Sequence, residues 1–224
     1  DWLDGWCLNP YTDITAQDSS YTATLYSSYE KNLLPNYISD AFSHPENLDR
    51  VNWVINQGFV SNPQFNYGEV QSAIWVLLGF PLIYGSGFGI ISDGAVNPTD
   101  VQAIVDAANA VAATGFIPNN SQYIGVILDP VAADGVTHLQ PIITLVHPAS
   151  LGDYVWNDRN ANGIQDDGET GINGATVNLW RDLNSNGVRD GANELLATTT
   201  THTNGNDGYY EFKGLTPGLE YQVE

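Results

Sequence analysis

Three stretches in the first two thirds of the chain repeat apolar residues three or four positions apart, the spacing of one helical face. In the first, Leu48, Val51, Val54 and Ile55 make the stripe, with Asn47 as N-cap and Gly58 as the stop. The second begins near Tyr67-Gly68-Glu69 and carries Val70, Ala73, Ile74, Leu77 and Leu78 up to Gly79. The third has Asn97 as cap, Pro98 in the first turn, Asp100 at the positive end, and Val101, Ile104, Val105, Ala108 and Val111 as its buried face before Gly115. Strands are predicted over 21–26, 123–128 and 141–146. Residues 1–148 thus read as an α+β domain.

From residue 149 onward the helical period vanishes. Strand-like runs at 152–156, 176–180, 195–200, 208–212 and 221–223 alternate with Asn, Asp and Gly loops, the pattern of a small all-β antiparallel sandwich. Val155, Val177, Leu179, Leu196, Tyr210 and Leu215 are its expected core. Proline at position 148 ends the preceding strand, so the boundary is placed there, with domains at 1–148 and 149–224.

Two loops of this second domain carry candidate chemistry. Asp158, Asn160, Asn162, Asp166 and Glu169 fall at positions 1, 3, 5, 9 and 12 of a loop with Gly163 at position 6 and the Ile164 carbonyl at 7. Such a set wraps a hard cation, and calcium takes six to eight oxygens of this kind. Asp182, Asn184, Asn186, the Val188 carbonyl and Asp190 repeat the spacing, but position 12 is Asn193 and the closing carboxylate arrives one residue late as Glu194. The closing ligand of the second loop stays open, and Asp207 in the turn 204–208 reads equally as a plain hairpin residue. Paired loops also occur in dockerins. Those require a helix after each loop, whereas here Thr176-Val177-Asn178-Leu179-Trp180 alternates and 195–203 is threonine-rich.

Charge narrows the partners. Twenty-six acidic residues against six basic ones give a net charge of -20, which disfavours nucleic acid and anionic lipid and suits bound calcium. No apolar run approaches the ~20 residues of a membrane span. The start at Asp1 lacks a basic and apolar leader, as expected of a mature or excised fragment. A single cysteine, Cys7, excludes an internal disulfide, and by default it is a small buried hydrophobe.

Leu151-Gly152-Asp153-Tyr154-Val155-Trp156-Asn157-Asp158, the calcium loop, Gly171-Ile172-Asn173-Gly174-Ala175-Thr176-Val177-Asn178-Leu179 and Gly208-Tyr209-Tyr210-Glu211-Phe212 resemble the B-type repeats of serine-aspartate-repeat surface proteins. The resemblance implies a calcium-rigidified sandwich of Cna-B-like, immunoglobulin-like form, serving as a stalk on an extracellular bacterial surface. Lys213 is the only lysine of this half, so no Lys–Asn isopeptide crosslink is expected. Trp6-Cys7-Leu8-Asn9-Pro10-Tyr11 and Val70-Gln71-Ser72-Ala73-Ile74-Trp75 resemble the two halves of the thioester domains of bacterial adhesins. That resemblance implies an internal thioester between Cys7 and Gln71, opened once by an amine-bearing surface protein or other surface ligand, without enzymatic turnover.

The chemistry suits the residues, since a thiolate attacking the Gln71 carboxamide expels ammonia and stores an acyl group. Gln71 in the first helical turn would have N–H groups to stabilise the oxyanion, and Trp6, Trp75 and Tyr11 would exclude water. Only Lys31 and Lys213 offer side-chain amines for self-reaction. Other classes fare worse. His44, His138, His147 and His202 form no zinc motif, a cysteine protease needs His138 or His147 beside Cys7, and Gly85-Ser86-Gly87-Phe88-Gly89 lacks the lysine of a phosphate loop. The runner-up is a noncovalent glycan- or protein-binding adhesin with a free buried cysteine. A monomer is expected.

Overall fold

The computed structural model describes residues 5–12, 21–82, 94–111, 115–119, 121–182, 186–189 and 194–224. The glycine-rich run 85–89 lies outside them. Contacts divide the chain into two compact units, Asp1–His147 and Pro148–Glu224.

Unit one contains strands β1 (Gly5–Cys7) and β2 (Thr22–Ser27), helices α1 (Asn36–Ser39), α2 (Leu48–Ile55), α3 (Tyr67–Leu77) and α4 (Pro98–Val111), then strands β3 (Ile124–Val131) and β4 (Ile142–Val146). The four strands form one antiparallel sheet in the order β1-β4-β3-β2. Trp6, Ile143 and Ile127 lie in one row across it and turn the same way, into a core shared with Val51, Val54, Ile74, Leu78 and Ile104. Each such fully buried aliphatic contributes about 1.5–3 kcal/mol.

Polar groups fix how the helices meet the sheet. Asn52 of α2 is fully buried; its Oδ1 accepts from the Gly125 N–H at 2.6 Å, while its Nδ2 donates to Ser28 Oγ and the Leu48 carbonyl. Ser28 Oγ donates in turn to the Gly125 carbonyl at 2.5 Å. Helix and strand approach so closely here that a Cβ on residue 125 would stand 2.4 Å from Ile143 Cδ1 and 3.1 Å from Asn52 Oδ1.

Asn47 departs from expectation. The chain enters α2 through a short 3-10 turn, Pro45–Asn47, and the Asn47 side chain makes no cap there; its Nδ2 donates instead to the Leu77 carbonyl at 2.7 Å, closing the C-terminal end of α3. The start of α3 is closed by a reciprocal capping box of Asn66 and Glu69. Buried Glu69 also accepts from the Asn97 N–H at 2.9 Å, and the Asn97 side chain accepts from Thr99 N–H at the start of α4. One carboxylate therefore serves the positive ends of two helices.

Unit two has strands β5 (Ala149–Tyr154), β6 (Thr176–Trp180), β7 (Leu195–Thr200), β8 (His202–Asn204), β9 (Asn206–Leu215) and β10 (Gln222–Val223) in two antiparallel sheets, β10-β6-β7 and β5-β9-β8. Val177, Leu179, Tyr210 and Phe212 form the core between them, with Leu151, Val155, Leu196 and Leu215 packed against it. All six residues expected in this core lie there, and Phe212 joins them. The strand expected at 152–156 runs instead from 149 to 154, with Trp156 in an isolated bridge to Gly171. Two glycines permit the crowding at that bridge: a Cβ on Gly171 would fall 1.8 Å from the Asp207 carbonyl oxygen, and one on Gly208, at φ +87°, 2.2 Å from that of Val155.

Replacing Glu69 with Ala removes two charge-assisted hydrogen bonds. A loss of about 2–4 kcal/mol in unfolding free energy is expected, with faster hydrogen exchange at the Asn66 and Asn97 amides; unchanged exchange at both would refute the shared-cap role.

Candidate functional site

Cys7 closes β1 at one edge of the sheet, paired with Ile142 of β4. Its N–H and C=O are turned to α3, where the Gln71 carboxamide meets both. Cys7 N–H donates to Gln71 Oε1 at 2.8 Å, and Gln71 Nε2 donates to the Cys7 carbonyl at 2.8 Å. Trp75, one turn along the helix, donates its indole N–H to the same carbonyl at 2.8 Å. Tyr67, one turn before Gln71, donates its hydroxyl to the Gly5 carbonyl at 2.6 Å and stacks on Trp6 with ring centroids 4.3 Å apart. Residues 67, 71 and 75 share a helix face at successive i, i+4 steps, and that face fastens β1.

The structure thus brings Cys7 and Gln71 together across 64 residues of sequence. Gln71 is buried and Cys7 half-buried. Gln71 is the fifth residue of α3, beyond the four whose N–H groups lack helical partners. The donor facing the carboxamide oxygen is accordingly the Cys7 N–H from the sheet, and not the helix N-terminus expected from the sequence. At 2.8 Å it stands at the separation that stabilises developing charge on an acyl oxygen. Of the three aromatics expected to exclude water, Trp6 and Trp75 are buried, while Tyr11 is 63% exposed and edges onto Phe80.

The histidines serve other places. His138 Nδ1 bonds buried Asp129 at 2.9 Å and its ring lies on Tyr37, whose hydroxyl donates to the same carboxylate. Burial and that bond to Asp129 push the Tyr37 hydroxyl far above the ordinary tyrosine range. His147 packs on Tyr123, His44 bonds Glu46, and His202 edges onto Tyr209. Lys213 Nζ lies 3.0 Å from Glu211, which raises its pKa and keeps it a cation, the form that is not a nucleophile.

In unit two the loop 158–169 leaves and rejoins the sheet edge through a clamp: Asn157 N–H donates to the Thr170 carbonyl, and Ile172 N–H to that of Val155. Within the loop Asp158 accepts from the N–H groups of Asn162 and Gly163, Asn160 and Asn162 each donate to Asp166 Oδ2 at 2.7 and 2.8 Å, and Glu169 accepts from the N–H groups of Arg159 and Asp166. Among the described residues of the second loop, the contacts of Asp158, Asn162, Gly163 and Ile164 recur 24 positions later. Asp182 accepts from Asn186 and Gly187 N–H, Asn186 Oδ1 accepts from Val188 N–H as Asn162 does from Ile164, and Gly187 has φ +73° against +74° for Gly163. Asn184 and Asp190 lie outside the described residues. Glu194 is buried, and its carbonyl accepts from Arg181 N–H.

Among the described residues no three His, Cys, Asp or Glu side chains form a metal-holding group; the loops offer a mixed set of carboxylates, Asn amides and a main-chain carbonyl. Asp207 is bound to Thr203 Oγ1 and Asn173 Nδ2, which lower its pKa. Asn173 also accepts from Gly208 N–H, so Asp207 is built into the hairpin base. Sequence reasoning missed Tyr67 and Trp75 as holders of β1, although both share the helical period of Gln71.

The two antiparallel sheets of unit two are consistent with a B-type β-sandwich. Residues 149–224 match the family model described as the SdrD B-like domain. The chain is 48% identical over 75 residues to serine-aspartate repeat-containing protein F of Staphylococcus epidermidis, and 43% identical over 75 residues to serine-aspartate repeat-containing protein D of Staphylococcus aureus (strain Newman). Each alignment covers 34% of this chain, and it spans only 4% and 5% of those two proteins. No solved structure gives a significant match. No helix among the described residues is long and apolar enough to cross a membrane.

Proposed function

We propose that the chain is part of a bacterial cell-surface adhesin. Its first unit captures an amine-bearing surface ligand through a Cys7–Gln71 thioester, and its second is a calcium-stiffened stalk repeat. The reciprocal hydrogen bonding of Cys7 and the Gln71 carboxamide carries this reading. In forming the bond, the Cys7 thiolate adds to Gln71 Cδ, the Cys7 N–H stabilises the oxyanion on Oε1, and Nε2 leaves as ammonia with the thiol proton. An amine R–NH2 then reverses the sequence, leaving Gln71 as an N-substituted amide and Cys7 as a free thiol. Each chain reacts once, so the process is not enzymatic. The B-repeat likeness of residues 149–224 supports the surface setting.

A second reading draws on the same contacts. The carboxamide has both polar ends satisfied by Cys7, as an inert staple would in a noncovalent glycan- or protein-binding adhesin. Intact mass separates the two. Freshly purified protein is expected to be short by one ammonia and to gain methylamine, with neither change in a Cys7→Ala variant; full mass and no adduct would favour the staple.

Calcium would be held by Asp158, Asn160, Asn162, the Ile164 carbonyl, Asp166 and Glu169 in one loop. In the other, Asp182, Asn184, Asn186, the Val188 carbonyl, Asp190 and Glu194 are the corresponding set. Support comes from the left-handed Gly163 and Gly187 and from the main-chain N–H groups that donate to the Asp158 and Asp182 carboxylates, which curl the described part of each loop as a calcium turn requires. At a hundredfold excess over Kd calcium is expected to add about 2.7 kcal/mol for each occupied loop, roughly 10 °C or more per site in a unit of this size. Chelator should remove the shift, as should Asp158→Ala combined with Asp182→Ala; a melting temperature indifferent to chelator contradicts the assignment.

A further inference from the structure

Among the described residues, Gln71 Nε2 and Trp75 Nε1 both donate to the Cys7 carbonyl, each at 2.8 Å. Only one of them survives the chemistry. Nε2 departs as ammonia when the thioester forms, so the first donor is lost at that step. An amine that opens the thioester does not restore it, for a geometric reason. Oε1 and Nε2 address the N–H and C=O of one residue, so the hydrogen that Nε2 donates is the one on the same side as Oε1. In an N-substituted amide of trans form, that side is taken by the substituent, and the cis form costs about 2.5–4 kcal/mol.

We infer that Trp75 is the positioning residue of the site, its indole N–H holding the Cys7 main chain against α3 through the thioester and adduct states in which Gln71 no longer does so. The inference rests on the thioester reading. Trp75 touches neither reacting atom in this role; it acts by keeping the end of β1, and with it the Cys7 N–H that faces Oε1, in register with the helix. Its burial at 4% exposure protects that bond from competition by water. Tyr67, which holds Gly5, fastens the strand at its other end.

Two variants that lack the donor test this in the full chain: Trp75→Phe, and replacement of Trp75 by benzothienylalanine, which keeps the bicyclic shape and substitutes sulfur for the N–H. Each is made with Cys7 present and in a Cys7→Ala background, where the carboxamide stays intact. With Cys7 present, appearance of the ammonia-deficient mass and its conversion by methylamine should both slow by about three- to tenfold, the range of one hydrogen bond. In the Cys7→Ala background the benzothienylalanine protein should melt with its parent, because Gln71 still covers the carbonyl. Thioester formation and opening at wild-type rates in both variants would overturn the positioning role alone, as would equal destabilisation of the Cys7→Ala background by the isosteric replacement. A wild-type protein of full mass that takes up no methylamine would overturn the thioester itself, and this inference with it.

Discussion

A strand at the edge of a sheet turns N–H and C=O groups outward, and those groups must find partners or water. In β1 that demand falls on Cys7, and a side-chain amide meets it: the Gln71 carboxamide presents one acceptor and one donor at the spacing of a neighbouring strand. Much of unit one is arranged around this substitution of a side chain for a strand. Helix α3 must run beside the edge, which Tyr67 and Trp75 secure. Its two ends must be held, which Glu69 and Asn47 do. The same pairing that satisfies the sheet edge sets the main-chain N–H of a cysteine against the Gln71 carboxamide oxygen, so the proposed chemistry would draw on a contact that the fold already needs.

Unit two solves a different problem, how to keep a small sandwich stiff when two of its connections are long and acidic. The loop 158–169 is pinched at its base by main-chain bonds to the sheet, and both loops begin with an aspartate that gathers the N–H groups of the following turn. Gly171 and Gly208 let the pinch and the β8–β9 hairpin approach within a distance no side chain would permit. The hairpin base is then locked by Asn173, Thr203 and Asp207.

The sequence made legible whatever follows from periodicity or fixed loop spacing. Helices α2, α3 and α4 announce themselves through apolar stripes, and the sandwich core through alternation, because burial imposes a period on residue type. The spacing of the two acidic loops is visible because their residues are local in sequence, and the proximity of Cys7 and Gln71 only because two short motifs resemble a known pair. Long-range polar contacts were not readable. Nothing local distinguishes Asn47, which ends α3, from the N-cap its position suggests, and nothing marks Asn52 as the residue that fixes α2 on Gly125. The donor that faces the Gln71 carboxamide oxygen was misplaced for the same reason: a helix N-terminus is visible in sequence, whereas a sheet edge that lies beside the helix appears only once strands are paired.

Peptide mapping at low pH is the most direct measurement on the Cys7–Gln71 pair. Cleavage after Lys31, Arg50 and Arg159 separates the two residues into the peptides 1–31 and 51–159. Fragmentation of freshly prepared protein should show these two joined at Cys7 and Gln71 with the loss of one ammonia. Recovery of both as separate peptides, with the Cys7 thiol free and Gln71 an unmodified carboxamide in every preparation, would contradict covalent capture and leave Gln71 as the staple of a sheet edge.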